Sequence, residues 1–109
     1  MVLRFRQINR NTFEAIRNGK KKVETRAATT KYADIKKDDM VKFVCGSSSF
    51  IRKVKKVQKF KTVDLMLKKY KVKDINPFIK TKEELLEKYY SFPGYKEKIK
   101  RYGLIAFEL

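Results

Sequence analysis

The residues best equipped for chemistry lie in one run, Gly19-Lys20-Lys21-Lys22-Val23-Glu24-Thr25-Arg26. Read as an extended segment over residues 20–26, it places Lys20, Lys22, Glu24 and Arg26 on one face. Lys21, Val23 and Thr25 then share the other, with Val23 marking the core side. A glutamate beside an arginine on one face can pair with it and fix the guanidinium fork toward a planar partner, a phosphate or a base edge. The same carboxylate can accept a hydrogen bond from the exocyclic amine of a cytosine. The plainer alternative is an ion pair on a rim, worth about 0–1 kcal/mol when exposed. Lys21 becomes a general base only if burial and neighbouring cations lower its pKa; otherwise it is one more solvated lysine.

Absences narrow the chemistry. The chain has no histidine and one cysteine, Cys45. Imidazole-based catalysis, including the usual serine and cysteine triads, is excluded. A zinc site lacks its ligands, an internal disulfide lacks its second sulfur, and four glycines form no phosphate loop. No metal or cofactor is expected. Catalysis would have to run on lysine, carboxylate, tyrosine or hydroxyl groups.

Charge points to a partner. Twenty-nine Lys and Arg against twelve Asp and Glu leave a net charge of +17. Self-repulsion on that scale opposes compaction, so such a chain commonly has an anionic partner. Heat adaptation, which also favours lysine, is the competing explanation. The distribution sharpens the case: no acidic residue occurs from Lys42 to Val63, where Arg52, Lys53, Lys55 and Lys56 crowd with Lys59 and Lys61. The partner such charge suits is a polyanion, RNA or an RNA-derived ligand. Tyr32, Tyr90 and Tyr102 are candidate stacking residues on such a surface, each competing with a half-buried core position. No apolar run approaches the roughly 18 residues of a membrane span, and none near Met1 resembles a signal peptide. A reduced, cytoplasmic protein without a membrane partner is expected, and a monomer.

The elements must position these groups. A chain of 109 residues, 42% hydrophobic, is the size of one domain, 1–109, with a core of its own. Val2 to Ile8 alternates as a strand with a basic face. Asn11-Thr-Phe-Glu14 resembles a capping box, opening a helix over about residues 12–18 that Gly19 ends. Ala27 to Lys37 reads as a loop, Asp38-Asp39 as a turn, Met40 to Val44 as a strand and Gly46 to Ser49 as a flexible connection. Ile51, Val54, Val57 and Phe60 recur every third residue, which fits a bulged strand better than a basic helix. Thr62 caps a helix carrying Val63, Met66, Leu67 and Tyr70, and Thr81 one carrying Leu85, Leu86 and Tyr89. Phe92-Pro93-Gly94 stops the latter. The nearly continuous apolar run Leu104 to Leu109 suits the centre of a sheet. These amount to an α+β domain, about five to six strands in a small β-barrel with three short helices.

Four segments in register resemble one family. The run Gly19 to Arg26 after a short helix resembles the G-K-K-x-[IV]-E-x-R signature of the ASCH domain, in the PUA-like superfamily. Asp34-Ile-Lys-Lys-Asp-Asp-Met-Val-Lys-Phe43 resembles its I-K-x-G-D-x-[IV]-x-F strand, with Asp38 in place of glycine. Val54 to Phe60 with the helix after Thr62, and Tyr102 to Glu108, resemble two further family segments. The resemblance implies a PUA-like barrel with helices against its openings, and a cleft where the signature strand meets the loops. It also implies RNA binding or, as in some small bacterial members, N4-acetylcytidine amidohydrolysis. Lys21 aligns with the lysine of those enzymes. Their nucleophilic threonine aligns with Glu24, Thr25 being one position off, and the nearest residue to their glutamate is Asp74. Tyr102 falls on a family position.

Three readings follow. The leading one is an RNA-binding domain whose pocket, built on Lys21, Glu24 and Arg26, takes a nucleobase or modified nucleoside. Lys20, Lys22, Arg52, Lys53, Lys55, Lys56 and Tyr102 would supply further RNA contacts. The second is a metal-independent amidohydrolase of N4-acetylcytidine-type nucleosides with Lys21 and Glu24 catalytic. The third is a protein-interaction or regulatory module whose lysines serve solubility.

Overall fold

The computed structural model describes residues 1–109. In chain order it contains β1 (Val2–Phe5), α1 (Arg10–Arg17), β2 (Val23–Ala27), β3 (Met40–Cys45), β4 (Ser48–Lys53) and β5 (Lys56–Phe60). There follow α2 (Val63–Leu67), α3 (Val72–Ile75), α4 (Lys82–Tyr90), α5 (Tyr95–Tyr102) and β6 (Leu104–Glu108). Single 3-10 turns lie at Gln7–Asn9 and Thr30–Tyr32. The strands form two three-stranded sheets, ordered β1-β3-β4 and β2-β6-β5. β1 runs parallel to β3; the other pairings are antiparallel. No helix is long and apolar enough to cross a membrane.

The three-residue spacing between Ile51 and Phe60 marks a change of sheet. Val54 still bonds the turn of the first sheet, donating to Asp39 O and accepting from Asp38 N, while Lys55 N already donates to Glu108 O in the second. Ile51 is exposed on the outer face, Val54 is buried at the corner, and Val57 and Phe60 face opposite cores from one strand, so the spacing of three joins positions that share no single face. The expected bulged strand is therefore two strands, β4 and β5, sharing a corner.

Two apolar cores result. Leu3, Phe13, Ile16, Val41, Phe43, Ile105 and Phe107 fill the space between the sheets, with α1 closing one end. Val23, Ala27, Met66, Ile75, Leu85, Ile99, Leu104 and Ala106 pack the second sheet against α2 to α5. β6 serves both, with Ile105 and Phe107 turned to one core and Leu104 and Ala106 to the other. A central strand buried on both faces has no use for polar alternation, which is why the segment reads as a continuous apolar run. Burying one such side chain fully stabilises by about 1.5–3 kcal/mol.

Several expectations are revised. β1 stops at Phe5, since residues 7–9 curl into the 3-10 turn. α1 starts at Arg10 with Asn9 in the cap position, and Asn11 Oδ1 accepts from the Thr12 amide and hydroxyl instead of the Glu14 amide, so the capping box is not formed. Residues 46–47 make a tight hairpin between β3 and β4, Gly46 supplying a φ of +58°, in place of a flexible connection. α2 ends at Leu67, short of Tyr70. Five helices, three of them of eight residues or more, replace the expected three: α3 and α5 were not anticipated. Pro93-Gly94 does stop α4, but Gly94 at φ +71° is also the N-cap of α5, a helix with few apolar residues to announce it. The caps at Thr62 and Thr81 are present, each hydroxyl accepting from the amide three residues on.

Candidate functional site

The chain reaches its signature run by an abrupt turn. α1 ends as Gly19 adopts φ +83°, and Lys21 N donates back to Ala15 O. Lys22 N then bonds Asp74 O, and only at Val23 does pairing with β6 begin. Strand alternation does not extend to residues 20–22, so the expected extended run over 20–26 is shorter, and Lys21 does not lie on the face opposite Glu24. The two side chains converge, Nζ standing 3.4 Å from Oε1, with 4% and 6% of their surfaces exposed.

Glu24 is the centre of a hydrogen-bonded group. Its Oε1 also accepts from the Thr25 amide at 3.0 Å, and its Oε2 accepts from Arg26 Nη2 at 3.3 Å. Arg26, 23% exposed, lies with its guanidinium carbon 5.3 Å from the centre of the Phe5 ring. The expected rim pair is thus anchored in a nearly buried carboxylate. Burial by itself would raise the Glu24 pKa, but the Lys21 and Arg26 cations and the Thr25 amide outweigh it and hold the carboxyl below its ordinary value. Burial lowers the Lys21 pKa, and the Glu24 carboxylate offsets only part of that. The contacts of Lys21 are nevertheless those of an ammonium: its Nζ donates to Val23 O at 2.9 Å and to Ile75 O, besides Glu24. Three acceptors surround three donors.

This group forms the floor of a cleft of about 310 Å³ between β2, the start of the chain and the α3–α5 helices. Asn76, 9% exposed, lines it; its Oδ1 accepts from Phe78 N, which fixes the carboxamide and leaves the Nδ2 donors for the cleft. Tyr89 bonds the Thr25 hydroxyl, and Tyr95 OH accepts from Ala27 N. Burial raises the pKa of both phenols, keeping them neutral donors. Arg4, Arg6, Lys88 and Lys98 add positive charge at the walls, and Glu24 is the one acidic residue among the lining side chains. Lys88 Nζ reaches Asn9 Oδ1 on the opposite wall at 3.3 Å. No three His, Cys, Asp or Glu side chains gather closely enough to hold a metal ion.

Of the residues singled out from the sequence, Lys21, Glu24, Thr25 and Arg26 meet in the cleft. Lys20, Lys22, Lys53, Lys55 and Lys56 are exposed and lie outside it. Arg52 spends its guanidinium on Arg17 O at the end of α1 and on the Phe50 ring. Tyr102 is 41% exposed beneath Arg101, away from the cleft, and Asp74 does not line it either. Tyr32 is a core residue against Phe107, and Tyr90 is exposed. Sequence reasoning missed Asn76, Lys88 and Tyr95. Tyr95 opens α5, a helix whose run of charge gives no sequence signal. Asn76 follows a single helical turn and carried none.

Comparison with known proteins agrees with the resemblance. The ASCH domain model matches residues 7–109, and the chain belongs to the ASCH domain family. The crystal structure of the hypothetical protein PH0355 superposes with a TM-score of 0.81 at 30% identity, covering 99% of this chain and 96% of that one. The solution structure of protein PF0455 from Pyrococcus furiosus gives 0.74 at 30% identity, covering 99% and 94%. No curated protein matches the chain. The fold is the PUA-like α+β arrangement.

Proposed function

We propose that the cleft binds a nucleobase carrying an exocyclic amine, cytosine being the best fit, within RNA or as a modified nucleoside. The observation that carries this reading is the Glu24 carboxylate, held ionised at the cleft floor with a lone pair of Oε2 left over beyond its Arg26 bond. Carboxylates accept from the cytosine amine, and an adjacent guanidinium can donate to the neighbouring ring nitrogen or carbonyl. Asn76 and Tyr95 add donors, and the cations at the walls suit the phosphates. The ligand is matched by one acceptor set among donors, on a basic surround.

Calorimetric titration with CMP and UMP tests it. CMP should bind about tenfold or more tightly, since one good base-edge contact discriminates by about 1–3 kcal/mol. Equal affinity, or binding of neither, would overturn the reading.

The convergence of Lys21 and Glu24 in one cleft also supports a second reading, an amidohydrolase of N4-acetylcytidine-type nucleosides. The saturated ammonium of Lys21 argues against a general base in the resting site, and the Thr25 hydroxyl is engaged by Tyr89. Recognition fits these contacts better than turnover.

A further inference from the structure

The outer face of the β1–β3–β4 sheet has an unusual composition. Leu3, Val41, Phe43 and Cys45 turn inward to the first core. Their neighbours Val2, Arg4, Met40, Lys42, Ile51 and Lys53 turn outward, and all are exposed. The register sets Val2 beside Lys42 and Lys42 beside Ile51, with Met40 beside Lys53. Cations and aliphatic side chains thus alternate across the strands. None of the three strands contains an acidic residue. Carboxylates gather only at its Met40 end: Asp34 and Asp39 line a hollow with Met40, and Asp38 lies 3.6 Å from Lys53 with both side chains more than half exposed, a pairing that water and salt largely screen.

Arg4 stands on this face and also lines the cleft, so the two basic surfaces are continuous. We propose that the outer sheet face carries the phosphate backbone of a single-stranded RNA whose base occupies the cleft. The charge complementarity selects a polyanion, and like charge on like disfavours a second copy of this chain. The face bears no aromatic side chain, so it does not stack bases; lysines meet phosphates as point charges and Met40 and Ile51 offer contact to sugars. A base can enter a cleft only when unstacked, which single strands allow. The inference rests on the nucleobase reading for what fills the cleft, and its own content is the second surface.

The test is fluorescence anisotropy of a labelled single-stranded RNA of about 12 nucleotides over a salt series. Wild type, Lys42→Ala/Lys53→Ala and the control Lys68→Ala/Lys69→Ala are compared. All four lysines are exposed and none lines the cleft, so the two variants lose equal charge. The Lys42/Lys53 variant should weaken binding several-fold and reduce the log–log salt slope by about 1.4, two single-strand phosphates at about 0.7 each. The control should keep the wild-type slope, and both variants should bind CMP as wild type does. An unchanged slope in the first variant, an equal loss in the control, or no RNA binding by wild type overturns the proposal. So does a dimer, seen by sedimentation, that Lys42→Ala/Lys53→Ala dissociates. Failure of CMP to bind any variant, with the slope change intact, would remove the nucleobase reading and leave the backbone track standing.

Discussion

Lys21 Nζ lies 3.4 Å from Glu24 Oε1, although only Glu24 belongs to a strand and Lys21 arrives from the turn that ends α1. The ammonium also ties Val23 O to Ile75 O, so one side chain joins β2 to α3 beneath the cleft. That arrangement orients Glu24 from below and leaves its other oxygen to Arg26 and the cleft.

Breaking the pair from one side should therefore cost stability. Removing one partner of a buried ion pair typically costs about 3–5 kcal/mol because a charge is left without compensation. Arg26 remains beside Glu24, so Lys21→Met should fall toward the lower figure and Glu24→Gln should match or exceed it. The double variant should cost less than the sum of the singles in urea denaturation. Additive costs would show that the two residues act independently.

Acid should expose the same pairing. The folded Glu24 pKa lies below the ordinary value of 4.5, so the native state gives up this proton more readily than the unfolded chain. Its stabilisation is fully present above 4.5 and is lost as pH falls through the lower folded value. Denaturation of wild type and Glu24→Gln from about pH 6 to about pH 2 should show a smaller decline in the variant. Parallel curves would contradict the assigned shift.

Gly103 is fixed by geometry. It adopts φ +75° between α5 and β6, and an added Cβ would overlap the Phe60 carbonyl oxygen. Gly103→Ala combines a left-handed backbone with a clash against a neighbouring strand and should cost about 2 kcal/mol or more. Gly19→Ala, with φ +83° but open space around it, should cost less, about 1 kcal/mol. Melting temperatures compare them directly; equal losses would mean the clash is relieved elsewhere.

Hydrolysis of N4-acetylcytidine should be weak or absent, unaffected by chelators, and abolished by Lys21→Ala where any is seen. Glu24 occupies the position that the resemblance gives to a threonine nucleophile, and a carboxylate forms a less useful acyl intermediate than a hydroxyl. Liquid chromatography of the released cytidine measures this. Efficient turnover that survives Lys21→Ala would show the site to be misassigned.

Much of this was legible in the residues, and the failures have physical causes. Leu104 to Leu109 announced a central strand because both faces of β6 are covered. Thr62 and Thr81 announced helix starts through their capping chemistry. Glu24 and Arg26 were paired from strand alternation alone. Lys21 was assigned to the wrong face because alternation was extended through residues whose amides bond Ala15 and Asp74 instead of a strand. Asn76 and Lys88 reach the cleft from distant segments, and no local pattern encodes that meeting. α5 was hidden because Tyr95 and Ile99 are its few inward apolar residues in a run of charge.

The central claim is that Glu24 reads a base amine. A crystal structure of the protein soaked with CMP tests it most directly. The cytosine N4 should lie within about 3.2 Å of Glu24 Oε2, the ring edge toward Arg26, and the phosphate among Arg4, Arg6, Lys88 and Lys98. A nucleotide held by its phosphate alone, with the base turned away from Glu24, would contradict it.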